Sequence, residues 1–294
     1  MTFLTYLTNG LSLGSVYAII ALGYTMVYGI SKMLNFAHGD VIMVGAYISF
    51  CSVSYLNTPA WLSVVIAMAV CTILGILIER LAYKPLRGTS SLAVLITAIG
   101  VSYFLQNAAL LIWGSAPKVF LSLFDSVDSF KLFDGQLTIS PESVFTILAC
   151  IVIMVVLTLF TSKTKMGKSM RAVSEDNGAA QLMGINVNST ISLTFAIGSG
   201  LAAVAGVLLC STYPTLMPTT GSMPGIKAFT AAVFGGIGSI PGAMIGGILL
   251  GIIEIFARAY VSTELSDAIV FGVLIVVLLV KPTGLLGKKI TEKV

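Results

Sequence analysis

Six stretches of this chain, at roughly 9–31, 38–56, 60–82, 92–114, 142–162 and 189–212, are apolar for about the 20 residues that a helix needs to cross a bilayer core of about 30 Å. No other feature constrains the fold as strongly. Lipid offers no hydrogen-bond partners, so only helices or a closed barrel can satisfy the backbone there, and runs of this length predict helices. Composition agrees. Only 10% of the 294 residues are charged and 57% are hydrophobic, where a soluble domain has about 25% charged. A water-soluble globule is excluded. The expected fold is all-α: a polytopic integral membrane bundle of about eight transmembrane segments, forming one domain over 1–294.

A shorter apolar run lies at 266–281, and a longer one at 223–258 is interrupted by Gly235-Gly236-Ile237-Gly238-Ser239-Ile240-Pro241-Gly242. Glycine and proline here free backbone groups that lipid cannot satisfy, so the break is expected to sit among other helices or beside water. Gly235, Gly236, Gly238, Pro241 and Gly242 are the candidate hinge. Lysine and arginine set the orientation. The stretch 163–188 carries Lys163, Lys165, Lys168 and Arg171 and is placed on the cytoplasmic side, with Lys32, Lys84 and Arg87 on the same side. The N-terminus and the loop with Asp125, Asp128 and Asp134 then face outward. For the basic tail (Lys288, Lys289, Lys293) to end inside, 223–258 must dip in and return or cross as two short helices.

Small residues recur at helical spacing: Gly10, Gly14 and Ala18; Gly198, Ala202 and Gly206; Gly242 and Gly246; Ala243, Gly247 and Gly251. In lipid such stripes let helices approach closely, and tight packing is their expected role. The four cysteines are widely spaced in apolar segments, without a metal-binding pattern or a pairing signal. No basic patch interleaved with aromatics suggests nucleic acid. The first apolar segment lacks the basic start and small-residue cleavage site of a signal peptide.

The 163–188 stretch is far longer than a plain connector. Ser174 is read as the cap of a short helix starting at Glu175, with acidic residues in its first turn. Ala179, Ala180, Leu182 and Met183 give it an apolar patch, and Gly184 takes the C-cap position. Such a helix suits a groove in a partner protein; the alternative is a helix lying flat on lipid.

The pattern Glu175-Asp176-x-x-Ala179-Ala180-x-x-Met183-Gly184-Ile185-Asn186 resembles the cytoplasmic coupling loop of ABC importer permeases of the branched-chain amino-acid class. Asn35-Phe36-Ala37-His38-Gly39-Asp40 is similar to the start of the LivH-type subunit of that class, and Phe229 to Gly251 to its broken segment. The likeness continues to Lys281-Pro282-Thr283-Gly284-Leu285-Leu286-Gly287. It departs from the wider importer superfamily, whose coupling motif starts Glu-Ala-Ala and ends near Leu-Pro. The resemblance implies a permease domain in the bacterial inner membrane that moves branched-chain or other hydrophobic amino acids. Its implied partners are two cytoplasmic ATPase subunits, a second similar permease forming a heterodimer, and an external substrate-binding protein, all around a lipid-embedded bundle. Coupling would fall on Glu175, Asp176, Ala179, Ala180, Met183 and Gly184. No cofactor is expected in this chain, ATP being bound by the partners, and no G-x-x-x-x-G-K-[ST] phosphate loop occurs.

Polar residues at membrane depth invite a functional reading. Gln106 and Asn107 are candidates for helix-to-helix hydrogen bonds or for lining the solute path. Glu254 has Arg258 one turn on, a spacing suited to a local ion pair. Glu79 and Arg80 are read as snorkelling at a helix end, and Asp40 as favouring a helix start. Two rivals stay open: an ion-coupled carrier, for which Glu254 is the available acid, and, within the family, a permease for urea or short-chain amides. An intramembrane enzyme would need clustered catalytic side chains, and none is visible.

Overall fold

The computed structural model describes residues 2–124, 129–132 and 137–287. Asp125, Asp128 and Asp134 of the acidic loop, and Lys288, Lys289 and Lys293 of the tail, lie outside the described residues. In chain order the helices are α1 (Thr2–Ser31), α2 (His38–Leu56), α3 (Ala60–Ile78), α4 (Ser91–Trp113), α5 (Pro141–Lys163), α6 (Lys165–Glu175), α7 (Asn177–Leu182), α8 (Val187–Thr212), α9 (Ser222–Gly235), α10 (Ile240–Tyr260) and α11 (Ser266–Val280). Seven of them are long and apolar enough to span a membrane, and α11 adds a shorter eighth. The expectation of about eight segments therefore holds. The short strands β1 (Lys118–Val119), β2 (Phe130–Leu132), β3 (Leu137–Ile139) and β4 (Thr215–Leu216) form two ribbons, β1 with β4 and β2 with β3. Both ribbons lie in the connections α4–α5 and α8–α9, on the side expected to be external.

Helix ends fall close to the apolar boundaries, with local chemistry fixing the last turns. Ser90 caps α4, Ser140 caps α5, Asn186 caps α8 and Ser239 caps α10, each side chain accepting from the backbone N–H three residues on. Two boundaries differ from the sequence reading. The first helix begins at Thr2, not near residue 9, because the polar first turns extend past the apolar run; its 30 residues span about 45 Å, more than the lipid core requires. At the far end of α3 the helix widens into a π-helical turn, Glu79–Tyr83, and then tightens into a 3₁₀ turn, Lys84–Leu86.

The 223–258 region is not a single crossing. The 14 residues of α9 reach about 21 Å, too short for a span, and α10 turns back antiparallel to it. Gly235 lies against Gly242, and Gly246 against Ala231. Gly236 and Gly238 take φ of 107° and 93° in the turn between them, a region that glycine enters without a Cβ clash. The carbonyls left open at the end of α9 are not exposed to lipid: Leu285 N donates to Phe234 O and Leu286 N to Gly235 O, both at 2.9 Å. The segment after α11 thus returns to the α9–α10 turn. By alternation of spans this is the side bearing α6 and α7; the region is a half-length α9 followed by a full-length α10 of 21 residues, rather than two short helices.

The centre of the bundle is α1, buried on all sides from Gly10 to Val27 apart from Leu11, and its main neighbours are α10, α8, α5 and α9. The small-residue stripes find separate partners. Gly10 and Gly14 meet Gly251 and Ile248 of α10, Ala18 meets Gly247, and Gly242 with Gly246 turns to α9. Gly198 of α8 faces Gly23 of α1, and Gly206 faces Ile42 of α2. Packing is therefore the observed role of these glycines. The outer helices α4, α5 and α11 keep large apolar side chains such as Phe104, Leu111, Val156 and Leu279 on the surface, as lipid-facing helices do.

A Cβ on Gly251 would lie 2.2 Å from Gly14 N, whereas one on Gly100 in α4 meets nothing within 4 Å. Gly251→Val is expected to lower stability by about 1–3 kcal/mol through overpacking. Gly100→Val is expected to leave it nearly unchanged. Thermal unfolding of both variants in detergent checks this.

Candidate functional site

Three polar assemblies stand out in the bundle, and the sequence-predicted residues divide among them. The first lies at the start of α2. Residues 32–37 turn back into the bundle instead of staying at its surface. His38 packs on Gly23, where a Cβ would lie 2.6 Å from its Nε2, and Gly23 is eight residues before the end of α1. So α2 begins about 12 Å inside that end. Five of the six residues Asn35-Phe36-Ala37-His38-Gly39-Asp40 make contacts that hold this entry. Asn35 Oδ1 accepts from Tyr83 OH at 2.9 Å, Phe36 meets the Phe229 ring, and His38 tilts against Tyr24. Gly39 lets the start of α9 approach, for a Cβ on Gly225 would be 2.8 Å from Gly39 Cα. The first turns of α2 and α9 therefore meet inside the membrane.

Asp40 sits in that first turn, 2% exposed, where the helix dipole favours an anion. Gln106 of α4 reaches it: Nε2 donates to Asp40 Oδ1 at 2.9 Å and lies 3.3 Å from Oγ of both Ser102 and Ser222. One amide thus joins α2, α4 and α9. Asn107 is not part of this group; its Nδ2 donates to Tyr103 O in its own helix, on an exposed face.

The second assembly surrounds Glu254, fully buried in α10. Tyr17 OH donates to its Oε2 at 2.9 Å, Lys227 Nζ lies 2.8 Å from its Oε1, and Arg258 pairs with the same oxygen. Lys227 also meets Asp267 of α11 at 2.6 Å. The Glu254–Arg258 pair was legible from its four-residue spacing. Lys227, Asp267 and Tyr17 were not, although a lone lysine in the apolar run 223–234 is a signal of a buried partner. Two cations and two carboxylates here tie α9 to α1, α10 and α11.

The third assembly lies at the inner surface. Glu79 is not a snorkelling residue. It is fully buried, pairs with Arg87 and accepts from Ser192 Oγ at 2.5 Å, while Arg87 also donates to Asn188 Oδ1. Arg80 is the exposed member. The end of α3 is thereby joined to the first turns of α8, directly after α7.

The segment 163–188 is two helices rather than one helix in a loop. Thr164 caps α6, accepting from Gly167 N at 2.9 Å, and α6 continues through Ser174 to Glu175. Ser174 is consequently no cap; its hydroxyl bonds back to Arg171 O. Asp176 caps α7 instead, Oδ1 accepting from Gly178 N and Ala179 N. Ala180 is buried against the bundle, whereas Glu175, Ala179, Leu182 and Met183 are exposed, Leu182 at 91% and Met183 at 83%. Gly184, with φ 80°, ends α7, and Ile185 N reaches back to Ala180 O at 3.0 Å, the six-to-one bond of a Schellman turn. Met170 and Val173 bury the apolar side of α6 while Lys165, Lys168 and Arg171 face out.

A half-length α9 that meets the inward-set start of α2 at a polar group inside a polytopic bundle fits the class of solute permeases. The comparisons with known proteins agree. The sequence model of the family described as "Branched-chain amino acid transport system / permease component" matches residues 6–278, and the chain belongs to that family. It is 48% identical over 99% of its length, and 98% of the relative's, to the high-affinity branched-chain amino acid transport system permease protein LivH of Salmonella typhimurium. It is 46% identical, with the same coverage, to the corresponding protein BraD of Pseudomonas aeruginosa. Among solved structures, PsaBC from Streptococcus pneumoniae in complex with Fab shares the fold: TM-score 0.50, 15% identity, 95% of this chain and 92% of that one. The chain is a multi-pass permease subunit of the inner membrane.

Removing one partner from a buried ionic group leaves an uncompensated charge. Lys227→Met is therefore expected to cost about 3–5 kcal/mol. Adding Glu254→Gln should recover part of that loss, since Arg258 is partly exposed and Asp267 is half exposed. Chemical unfolding of the single and double variants tests the sign of this coupling.

Proposed function

We propose that this chain imports branched-chain or other hydrophobic amino acids as one of two similar, non-identical permeases, driven by two cytoplasmic ATPase subunits and supplied by an external binding protein. The observation that carries the reading is near-full-length identity to branched-chain permeases, combined with a surface-mounted α7 built for docking. Its two apolar side chains, Leu182 and Met183, stand almost wholly exposed on the basic side of the bundle. Exposed apolar residues at a short helix end, held by a capped start and a Schellman finish, form a knob for a groove in a partner.

The route from knob to pathway is continuous. Four residues separate α7 from α8, and α8 is joined to α3 through Ser192, Asn188, Glu79 and Arg87. Closure of the ATPases would displace α7, and with it the inner ends of α3 and α8. Packed helices with two stable arrangements then alternate access between the two faces. Asp176, Ala180 and Gly184 hold the knob, while Glu175, Ala179 and Met183 face the partner. The turn at Gly235, Gly236, Gly238, Pro241 and Gly242, pinned by Leu285 and Leu286, acts as a fulcrum for the α9–α10 pair.

Two alternatives are less well supported. Glu254, the acid an ion-coupled carrier would use, is held between Lys227 and Arg258, where a proton would have to displace two cations. Urea or short-chain amides as cargo would leave unexplained why relatives of this length and identity bear branched-chain amino-acid names.

The test is uptake of leucine, isoleucine and valine by vesicles holding the whole complex, for wild type and Leu182→Glu/Met183→Glu. Wild type should concentrate these amino acids only with ATP. The double variant should lose about tenfold or more in uptake, because charges replace an apolar anchor in its groove, while the permease itself keeps its unfolding temperature. Equal uptake by the variant removes α7 from the coupling route, and uptake of urea or amides in preference to leucine corrects the cargo.

A further inference from the structure

Three carboxylates are buried among the described residues: Asp40, Glu79 and Glu254. Two have cations beside them, Arg87 for Glu79 and Lys227 with Arg258 for Glu254. Asp40 has none among the described residues; its side chain is met by the neutral amide of Gln106, with Ser102 and Ser222 around that amide. A carboxylate at membrane depth is costly, and where it faces no protein cation it marks the path of a solute or ion. The depth is set by α4: Gln106 lies fifteen residues from Ser91 and seven from Trp113, well inside both ends.

The group is also not sealed. Asp40 itself is buried, but Ser102, Gln106 and Ser222 are each half-buried. A face that presents two hydroxyls and an amide does not suit hydrocarbon, unlike the aliphatic surfaces of α5 and α11. It suits water in a passage covered by another chain. The start of α9 has no side-chain cap, its N-cap being Gly221, so its dipole end favours an anion beside the carboxylate site.

We propose that Asp40, with Gln106, Ser102 and Ser222, is a station on the translocation path that receives the ammonium group of the passing amino acid, the cargo carboxylate lying toward the start of α9. This deepens the reading of the chain as an amino-acid permease and rests on it. The missing counter-charge is then supplied in transit by the cargo. Gln106 holds the carboxylate in place between passages and yields to the stronger charge-assisted bond when the ammonium arrives. The station binds weakly, since a neutral amide already occupies one oxygen, and a weak site is what conduction needs.

The test uses the full complex in vesicles with its binding protein, leucine as the probe, and variants Asp40→Asn, Asp40→Glu and Ser222→Cys, the last in a Cys51→Ser background because Cys51 is the one native cysteine not fully buried. Leucine imported per ATP hydrolysed should fall about tenfold in Asp40→Asn, the order expected for loss of one charge-assisted hydrogen bond, and recover in part in Asp40→Glu. Ser222→Cys should be modified by a water-borne, membrane-impermeant cationic thiol reagent, and leucine under turnover should slow that modification. A wild-type ratio in Asp40→Asn overturns the proposal. So does a Ser222→Cys site that resists the water-borne reagent and reacts only with a lipid-soluble maleimide, a reading that stands even where Asp40→Asn fails to assemble. A wild-type complex that takes up no amino acid overturns the cargo itself, and the ammonium assignment with it, whereas normal wild-type uptake alongside a silent Asp40→Asn leaves the permease reading intact.

Discussion

The close approach of α1 to α10 is the contact on which the remaining architecture depends. In lipid, helices gain nothing from hiding apolar surface, because the solvent is as apolar as they are; they associate through near contact of backbones and through polar bonds. Gly10, Gly14 and Ala18 on one side, and Gly247 and Gly251 on the other, allow this. The opposite face of α10, with Gly242 and Gly246, brings in α9. A half-length helix can stay in the membrane only if its ends are provided for. Here one end is met by Leu285 and Leu286 and the other by Gly39 of α2.

Polar bonds add direction to a packing that would otherwise be permissive. The Glu254 group binds α9 to three neighbours, and the Glu79 group joins α3 to α8. Each removes charge from lipid by pairing it. Among the described residues Asp40 departs from this rule, and its proposed role beside the cargo rests on that departure. The same bundle thus holds two ion-paired carboxylates and, among the described residues, one buried acid with a neutral partner.

Much of this was legible in the sequence, for physical reasons. Helix bounds such as His38–Leu56 matched within a residue because the thickness of lipid sets the length of an apolar run, and the glycine stripes named their own role. Cap residues were harder. Ser174 and Asp176 are both good caps, and the choice depended on α6 running on through Ser174 so that its hydroxyl turned back to Arg171. Pairings between distant helices were not legible. Nothing local tells that Gln106 meets Asp40, or that Lys227 meets Asp267, and the burial of Glu79 depended on Arg87 folding back over a π-helical turn that spacing rules do not foresee.

The proposed function makes this a bundle moved from outside, through α7. A photo-reactive side chain placed at Met183 in native membrane vesicles tests this directly. The account predicts that light captures the ATPase subunit, with the label reached by impermeant quenchers only from the inner side. Capture of lipid alone, or of a protein on the outer side, would contradict it.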